Sequence, residues 1–213
     1  MPRKSSRRHQ QGIESRQRIL DAALTIAAER GYDGTTIALV TKETGLPASS
    51  VYWHFKNKDQ LLAETLDYSY RKWRAGTPTW SGGVDRDDAA GAVRERLQRA
   101  AQAIVESPEF WRLGLMLALE NRPVEPLART RYLQVREETR AAIEAWWREL
   151  LVTEGLPAGS DVPQRVARFH LAFMDGLFLG LRSRAGWDRE RIVDIVAAGV
   201  YRQAQLWIAE EAA

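Results

Sequence analysis

The chain of 213 residues contains no cysteine, which removes a disulfide frame, a thiolate metal site and a cysteine nucleophile at once. Histidine is nearly as scarce. Its three copies, at positions 9, 54 and 170, are too scattered to suggest a metal site, and neither metal nor cofactor is expected. No run of about eighteen apolar residues occurs: Leu171 to Leu181 is interrupted by Asp175, and no hydrophobic signal core follows the N-terminal charges. A soluble, unexported, cytoplasmic protein is expected. A glycine-rich phosphate loop, a serine nucleophile elbow and a carboxylate pair at catalytic spacing are all missing, so the chain is not expected to be an enzyme.

What is present is apolar material at 45% of residues, enough for a sizeable core in one or two domains. The net charge of +3 says little about partners, but its distribution says more. Arg3, Lys4, Arg7, Arg8, Arg16 and Arg18 are opposed within the first 18 residues only by Glu14. Such a basic arm suits contact with phosphate groups; residues 1–10 read equally well as a solvated tail.

Periodicity is helical throughout, and an all-α fold is expected. Ile19, Ala22, Ala23, Ile26 and Ala27 make a stripe over residues 14–30, and Gly31 ends it. A helix from Asn57 to about Trp73 follows, then a Gly, Pro, Ser and Asp-rich loop over residues 75–88, in which Trp80 covers a core edge. Further helices are predicted at about 86–106, 108–121, 124–153, 161–184 and 188–210, with no strand. Residues 165–184 carry two apolar stripes, one of Val166, Phe169, Phe173 and Leu177 and one of Leu171, Met174, Phe178 and Leu181. A helix apolar on two sides is buried on two sides, and Gly176 and Gly180 would admit a close partner helix.

Residues 35–62, TTIALVTKETGLPASSVYWHFKNKDQLL, organise the reading of function. Thr36 can cap a short helix carrying Ile37 and Val40, and Gly45 can end it in the left-handed conformation. Pro47 suits the first turn of a second helix, running to about Phe55. There Val51 and Phe55 pack inward, leaving Ala48, Ser49 and Ser50 outward and free of bulk. Two short helices joined by a Gly-containing turn form a helix-turn-helix, whose second helix presents its N-terminal residues to base edges. Asn57 with Gln60 can cap the next helix. Lys58 then sits at the positive end of that helix dipole, a conflict that a DNA phosphate would resolve, so Lys58 is read as a phosphate clamp. From spacing alone, a Gly-punctuated helix pair inside an ordinary helical core remains an equal reading.

The same stretch resembles the DNA-binding domain of tetracycline-repressor (TetR) type transcriptional regulators, over Ile13 to Leu66. The resemblance lies in the double Thr35-Thr36, the Gly-apolar turn Gly45-Leu46, and Tyr52-Trp53-His54-Phe55 followed by Lys58 and Leu61-Leu62. The family usually has Ser or Thr where Pro47 stands, and Tyr, His or Arg more often than Trp at position 53. The resemblance implies DNA-facing roles for Tyr52, Trp53 and His54. It also implies dimerisation through the last two long helices, and an effector pocket in the helical body. On that basis residues 1–12 form a basic flexible arm, 13–60 the three-helix head, and 61–213 a larger helical domain for ligand binding and dimerisation.

Phe110, Trp111, Leu115, Met116, Trp147, His170, Phe173, Met174 and Phe178 are the candidates for lining that pocket, suited to an apolar or aromatic effector. Each reads singly as plain core; His170 and Asp175 on one helix could orient a ligand, but a hydrogen-bonded core or interface role is the stronger reading for them. The expected function is a ligand-responsive transcriptional regulator, a homodimer that binds a pseudo-palindromic operator in double-stranded DNA and is released by a small molecule. The alternative is an all-helical small-molecule-binding protein or enzyme without DNA binding.

Overall fold

The computed structural model describes residues 3–76, 80, 85, 87–119, 123–183, 186 and 188–213. Among these the chain is all-α, without strands: α1 (Arg3–Gly34), α2 (Ile37–Thr44), α3 (Ala48–His54), α4 (Lys58–Gly76), α5 (Ala89–Glu106), α6 (Glu109–Leu119), α7 (Leu127–Leu151), α8 (Val162–Arg182) and α9 (Arg189–Glu211), with a 3-10 turn at Val152–Glu154. The predicted loop over 75–88, the predicted helix ends at 121 and 184, and the side chains of Arg3, Lys4, Arg7 and Arg8 lie partly or wholly outside the described residues. No described helix is long and apolar enough to cross a membrane.

Helix α1 starts at Arg3 rather than near Glu14. Residues 3–13 contain no proline, and Gly12 alone costs a helix only about 1 kcal/mol, so nothing in the sequence stops propagation toward the N-terminus. At the other end Gly31, with φ 71° and ψ −173°, takes a conformation that side chains disfavour and breaks the helix where the sequence places the stop. The chain then forms two compact units, one of Met1–Lys72 with Glu109–Gln134 and one of Trp73–Pro108 with Val135–Ala213. Helices α4 and α7 each contribute residues to both.

The core of the first unit joins Ile19, Leu20, Ala23 and Ile26 of α1 to Val40, Val51, Phe55 and Leu61. The i, i+3, i+4, i+7 spacing on α1 is what lets one helix cover both short ones. Helix α6 also packs on α1, and α6 meets the first turns of α7 closely enough that a Cβ at Gly114 would stand 2.1 Å from Cε2 of Tyr132. In the second unit α5 packs along α9 and on α8. Val93, Leu97 and Ile104 are buried there, as are Val166, Met174, Leu177, Val193, Val200 and Ile208.

Helix α8 buries members of both of its stripes within the chain, but not all of them. Val166, His170, Met174, Leu177 and Phe178 face the core, while Phe169 is 49% and Leu179 57% exposed. A helix offers one face to one layer of neighbours, so the residues of the opposite face stay outside. Arg136 of α7 donates to both oxygens of Asp175 of α8 at 2.9 and 2.8 Å, and Arg94 of α5 to both of Asp194 of α9 at 2.8 Å.

The α6–α7 contact yields a stability prediction. Tyr132 is 1% exposed, so its ring has no room to yield to a methyl group. Gly114→Ala should cost about 1–3 kcal/mol by overpacking and lower Tm by several degrees; an unchanged Tm would show that Tyr132 repacks freely.

Candidate nucleic-acid interface

The geometry of the head follows from local chemistry. Thr36, extended at φ −125° and ψ 153°, accepts from Leu39 N at 3.2 Å and starts α2. Gly45, at φ 67°, ends it by donating its N–H to Thr41 O at 2.9 Å. Pro47 stands as the N-cap residue of α3, one position before the helical turn where the sequence placed it. Its ψ of 154° is extended, and its ring fixes φ at −67°. Pro47 brings no side-chain acceptor, and Ser50 N donates to its carbonyl at 2.9 Å instead.

Val51 is 0% and Phe55 1% exposed, and this pair turns the rest of α3 outward. Ala48 and Ser49 are exposed at its N-terminal end and Ser50 is half-buried. Tyr52 is 56% and Trp53 74% exposed, the latter unusual for so large an apolar ring on a free surface. Thr36 and Pro47 are exposed on the same head. The structure thus displays Thr36, Pro47, Ala48, Ser49, Tyr52 and Trp53 to solvent and leaves Ser50, His54 and Lys58 half-buried.

His54 is held by Ser15, a residue that the sequence did not single out. His54 Nε2 lies 2.7 Å from Ser15 Oγ. The Ser15 hydroxyl is directed to Gly12 O at 3.0 Å, so the hydrogen bond is assigned with His54 Nε2–H donating to Ser15. Burial first, and then the Arg16 charge, hold the imidazole below its ordinary pKa against the opposing pull of Glu64. Arg16 itself pairs with Glu64 and lies 5.5 Å over the Phe55 ring. Trp53 meets His54 edge-on at 4.5 Å and lies beside Gly12, where a Cβ would come 3.5 Å from it. The N-terminal part of α1 is therefore the wall against which the exposed edge of α3 rests. No pattern within residues 35–62 pointed to Gly12 or Ser15.

At the start of α4, Asn57 Oδ1 accepts from Gln60 N and Gln60 Oε1 accepts from Lys56 N, each at 2.8 Å. This is the expected reciprocal cap, shifted by one residue on the return bond. Lys58 opens the helix. Its Nζ donates to Asp33 O at 3.4 Å and stands 4.5 Å from the Tyr32 ring centroid. Its placement at the positive helix end is therefore relieved by a carbonyl, an aromatic face and the adjacent Asp59.

The candidate pocket residues divide between the units. Phe110, Trp111, Leu115 and Met116 belong to the first, where Phe110 packs on Tyr70 at 5.3 Å and on Tyr132 at 5.9 Å. Trp147, His170, Phe173, Met174 and Phe178 belong to the second. Phe110, Trp111, Trp147, His170, Met174 and Phe178 are buried; Leu115, Met116 and Phe173 are half-buried. His170 lies 4.9 Å from Trp80, which also meets Trp146 at 5.6 Å. Burial lowers the His170 pKa to about 4, so the ring is neutral near pH 7. No group of three or more His, Asp or Glu side chains able to hold a metal occurs among the described residues.

Comparison with known proteins bears on this head and on the whole chain. Residues 19–65 match the family described as bacterial regulatory proteins, tetR family. The HTH-type transcriptional regulator SrpR of Pseudomonas putida is 26% identical over 189 residues, spanning 88% of this chain and 84% of SrpR. MexZ, a repressor responsible for antibiotic resistance in Pseudomonas aeruginosa, superposes with a TM-score of 0.69 at 20% identity, over 90% of this chain and 94% of MexZ. AibR, solved in complex with isovaleryl coenzyme A and operator DNA, gives 0.65 at 16% identity, over 86% and 96%. At those identities the two structures share the fold. The α1–α4 head with its displayed α3 thus carries, over residues 19–65, the signature of the tetR family of bacterial regulatory proteins, and the chain is similar along most of its length to a regulator of the HTH type.

Proposed function

We propose that the protein is a ligand-responsive, DNA-binding transcriptional regulator, a repressor that a small molecule releases from a pseudo-palindromic operator. The observation that carries this is the exposed N-terminal end of α3. A buried Val51–Phe55 pair aims a bulk-free Ala48-Ser49 edge at solvent, with Tyr52 and Trp53 beside it and a lysine at the next helix start. Such an edge fits a major groove, where small residues permit close approach and flanking aromatic and basic groups meet the phosphates. SrpR is named a transcriptional regulator and MexZ a repressor, which supports the same assignment.

The partner set follows the same line. The stripe Phe169, Ala172, Gly176 and Leu179 on α8 is spaced by three and four residues, so it forms one face. Ile195 at 63% and Leu206 at 42% exposure, with exposed Gly199, form another on α9. We assign these faces to a homodimer, in which glycines allow close helix approach and two-fold symmetry imposes two DNA half-sites. AibR, solved with both an acyl-coenzyme A and operator DNA, supports pairing a small-molecule effector with DNA. Here the effector is assigned to the helical body and to an apolar or aromatic class. A coupling of about 1–3 kcal/mol would change operator affinity by roughly 5- to 150-fold.

Duplex binding followed by fluorescence anisotropy tests the DNA assignment. Lys58→Ala should weaken all sequences alike, whereas Ser49 and Ser50 substitutions should change base preference. Preference unaltered by both serines would remove α3 from the recognition position. Sedimentation tests the dimer: Ile195→Glu, on a side chain already exposed in the isolated chain, should convert a dimer to a folded monomer. A wild-type monomer at micromolar concentration would overturn the interface.

A further inference from the structure

Asp59 is the second residue of α4 and takes part in more than its own helix. Its Oδ1 accepts from the Tyr32 hydroxyl at 3.1 Å. The same carboxylate accepts from the backbone N–H of Leu127, at 3.0 Å to Oδ1 and 3.3 Å to Oδ2, across 68 positions of sequence. Leu127 is the first residue of α7, so its N–H is one of the donors that a helix start leaves unpaired. Pro126 before it offers no side-chain acceptor, and a carboxylate from α4 fills the role, with the favourable sign for a helix N-terminus.

The Tyr32 ring that Asp59 anchors by its hydroxyl carries the Lys58 ammonium on its face, at 4.5 Å from the centroid. One line of contacts therefore runs from the α7 N-terminus through the Asp59 carboxylate and the Tyr32 ring to Lys58, all inside the first compact unit. The first turns of α7 are tied to the same unit elsewhere: Arg131 pairs with Asp67 of α4 at 2.6 Å, and the buried Tyr132 fills the space left by Gly114. From Val135 onward, α7 belongs to the second unit.

We propose that Asp59 is a positioning residue for DNA binding. With one carboxylate it caps α7 and fixes Tyr32, so the Tyr32 ring holds Lys58 at the α4 N-terminus where a phosphate is bound. A displacement of the first turn of α7 removes the cap, frees Tyr32 and withdraws the lysine. The proposal rests on the DNA-binding assignment above and adds the route by which α7 controls it.

The test is a mutant cycle read by anisotropy on a random-sequence duplex of about 30 base pairs at low salt, because a phosphate contact acts on every sequence. Asp59→Ala and Lys58→Ala should each weaken binding by about tenfold, the scale of one charge-assisted hydrogen bond. The double variant should be no weaker than Lys58→Ala alone, since Asp59 acts only through Lys58. Tyr32→Phe, which deletes a single oxygen, should reproduce the Asp59→Ala loss and serves in its place if that variant fails to fold. Asp59→Asn should restore binding, as one amide oxygen can accept from both donors. Leu127→Pro removes the capped N–H while suiting the first turn of a helix, and should also weaken binding. Fully additive losses at Asp59 and Lys58, or wild-type binding by Asp59→Ala and Tyr32→Phe, would overturn the positioning role. Unaltered binding by Leu127→Pro would overturn the link to α7. Failure of the DNA assignment itself would look different, with the wild-type protein binding no duplex.

Discussion

The structure of the head depends on burying Phe55 and Val51 against α1. Phe55 follows α3 directly, and its removal from water contributes about 1.5–3 kcal/mol, a large share of the marginal stability of a small domain. Its position leaves α3 no rotational freedom. With Val51 and Phe55 inward, helical geometry sends Ala48 and Ser49 outward, and Tyr52 and Trp53 follow on the exposed side. The surface proposed to meet DNA is thus set by what the interior needs.

Around that core, charge is arranged in pairs rather than as a simple basic patch. Arg16 pairs with Glu64 and lies over the Phe55 ring, and its charge helps hold the His54 imidazole below its ordinary pKa. Lys58 is held by Asp33 O and Tyr32, with Asp59 at its side anchoring Tyr32 and the start of α7. These contacts place the cationic group at the helix end. A phosphate arriving there meets an ammonium and a favourable dipole together.

Much of this was legible in the sequence because it is local. Thr36, Gly45, Asn57 and Gln60 announce helix ends within four residues of their partners, and the apolar spacing on α1 fixes which face is buried. What was not legible is what depends on distant pairing. Nothing near Asp59 shows that it caps a helix starting at Leu127, and nothing near His54 shows that it is hydrogen-bonded to Ser15. The start of α1 at Arg3 was missed because a basic, polar segment has helix propensity but no apolar stripe to advertise it. The two stripes on α8 were visible, but only the structure shows that each sends members into the core, Val166 and Leu177 from one and Met174 and Phe178 from the other, while Phe169 stays outside together with Leu179, which lies on neither stripe. Aromatic and Met residues of the body gave no such signal, since core and pocket lining draw on the same side chains, and Trp147, His170 and Met174 are buried here as core residues are.

The central claim is that α3, displayed by its buried flank, reads duplex DNA as part of a two-fold assembly. Selection of binding sequences from a random duplex pool with the purified protein tests this most directly. The account predicts enrichment of an inverted repeat whose half-sites lie about one helical turn, roughly 34 Å, or a multiple apart, with affinity falling steeply as salt rises. A pool that remains unenriched, or an affinity indifferent to salt, would contradict it.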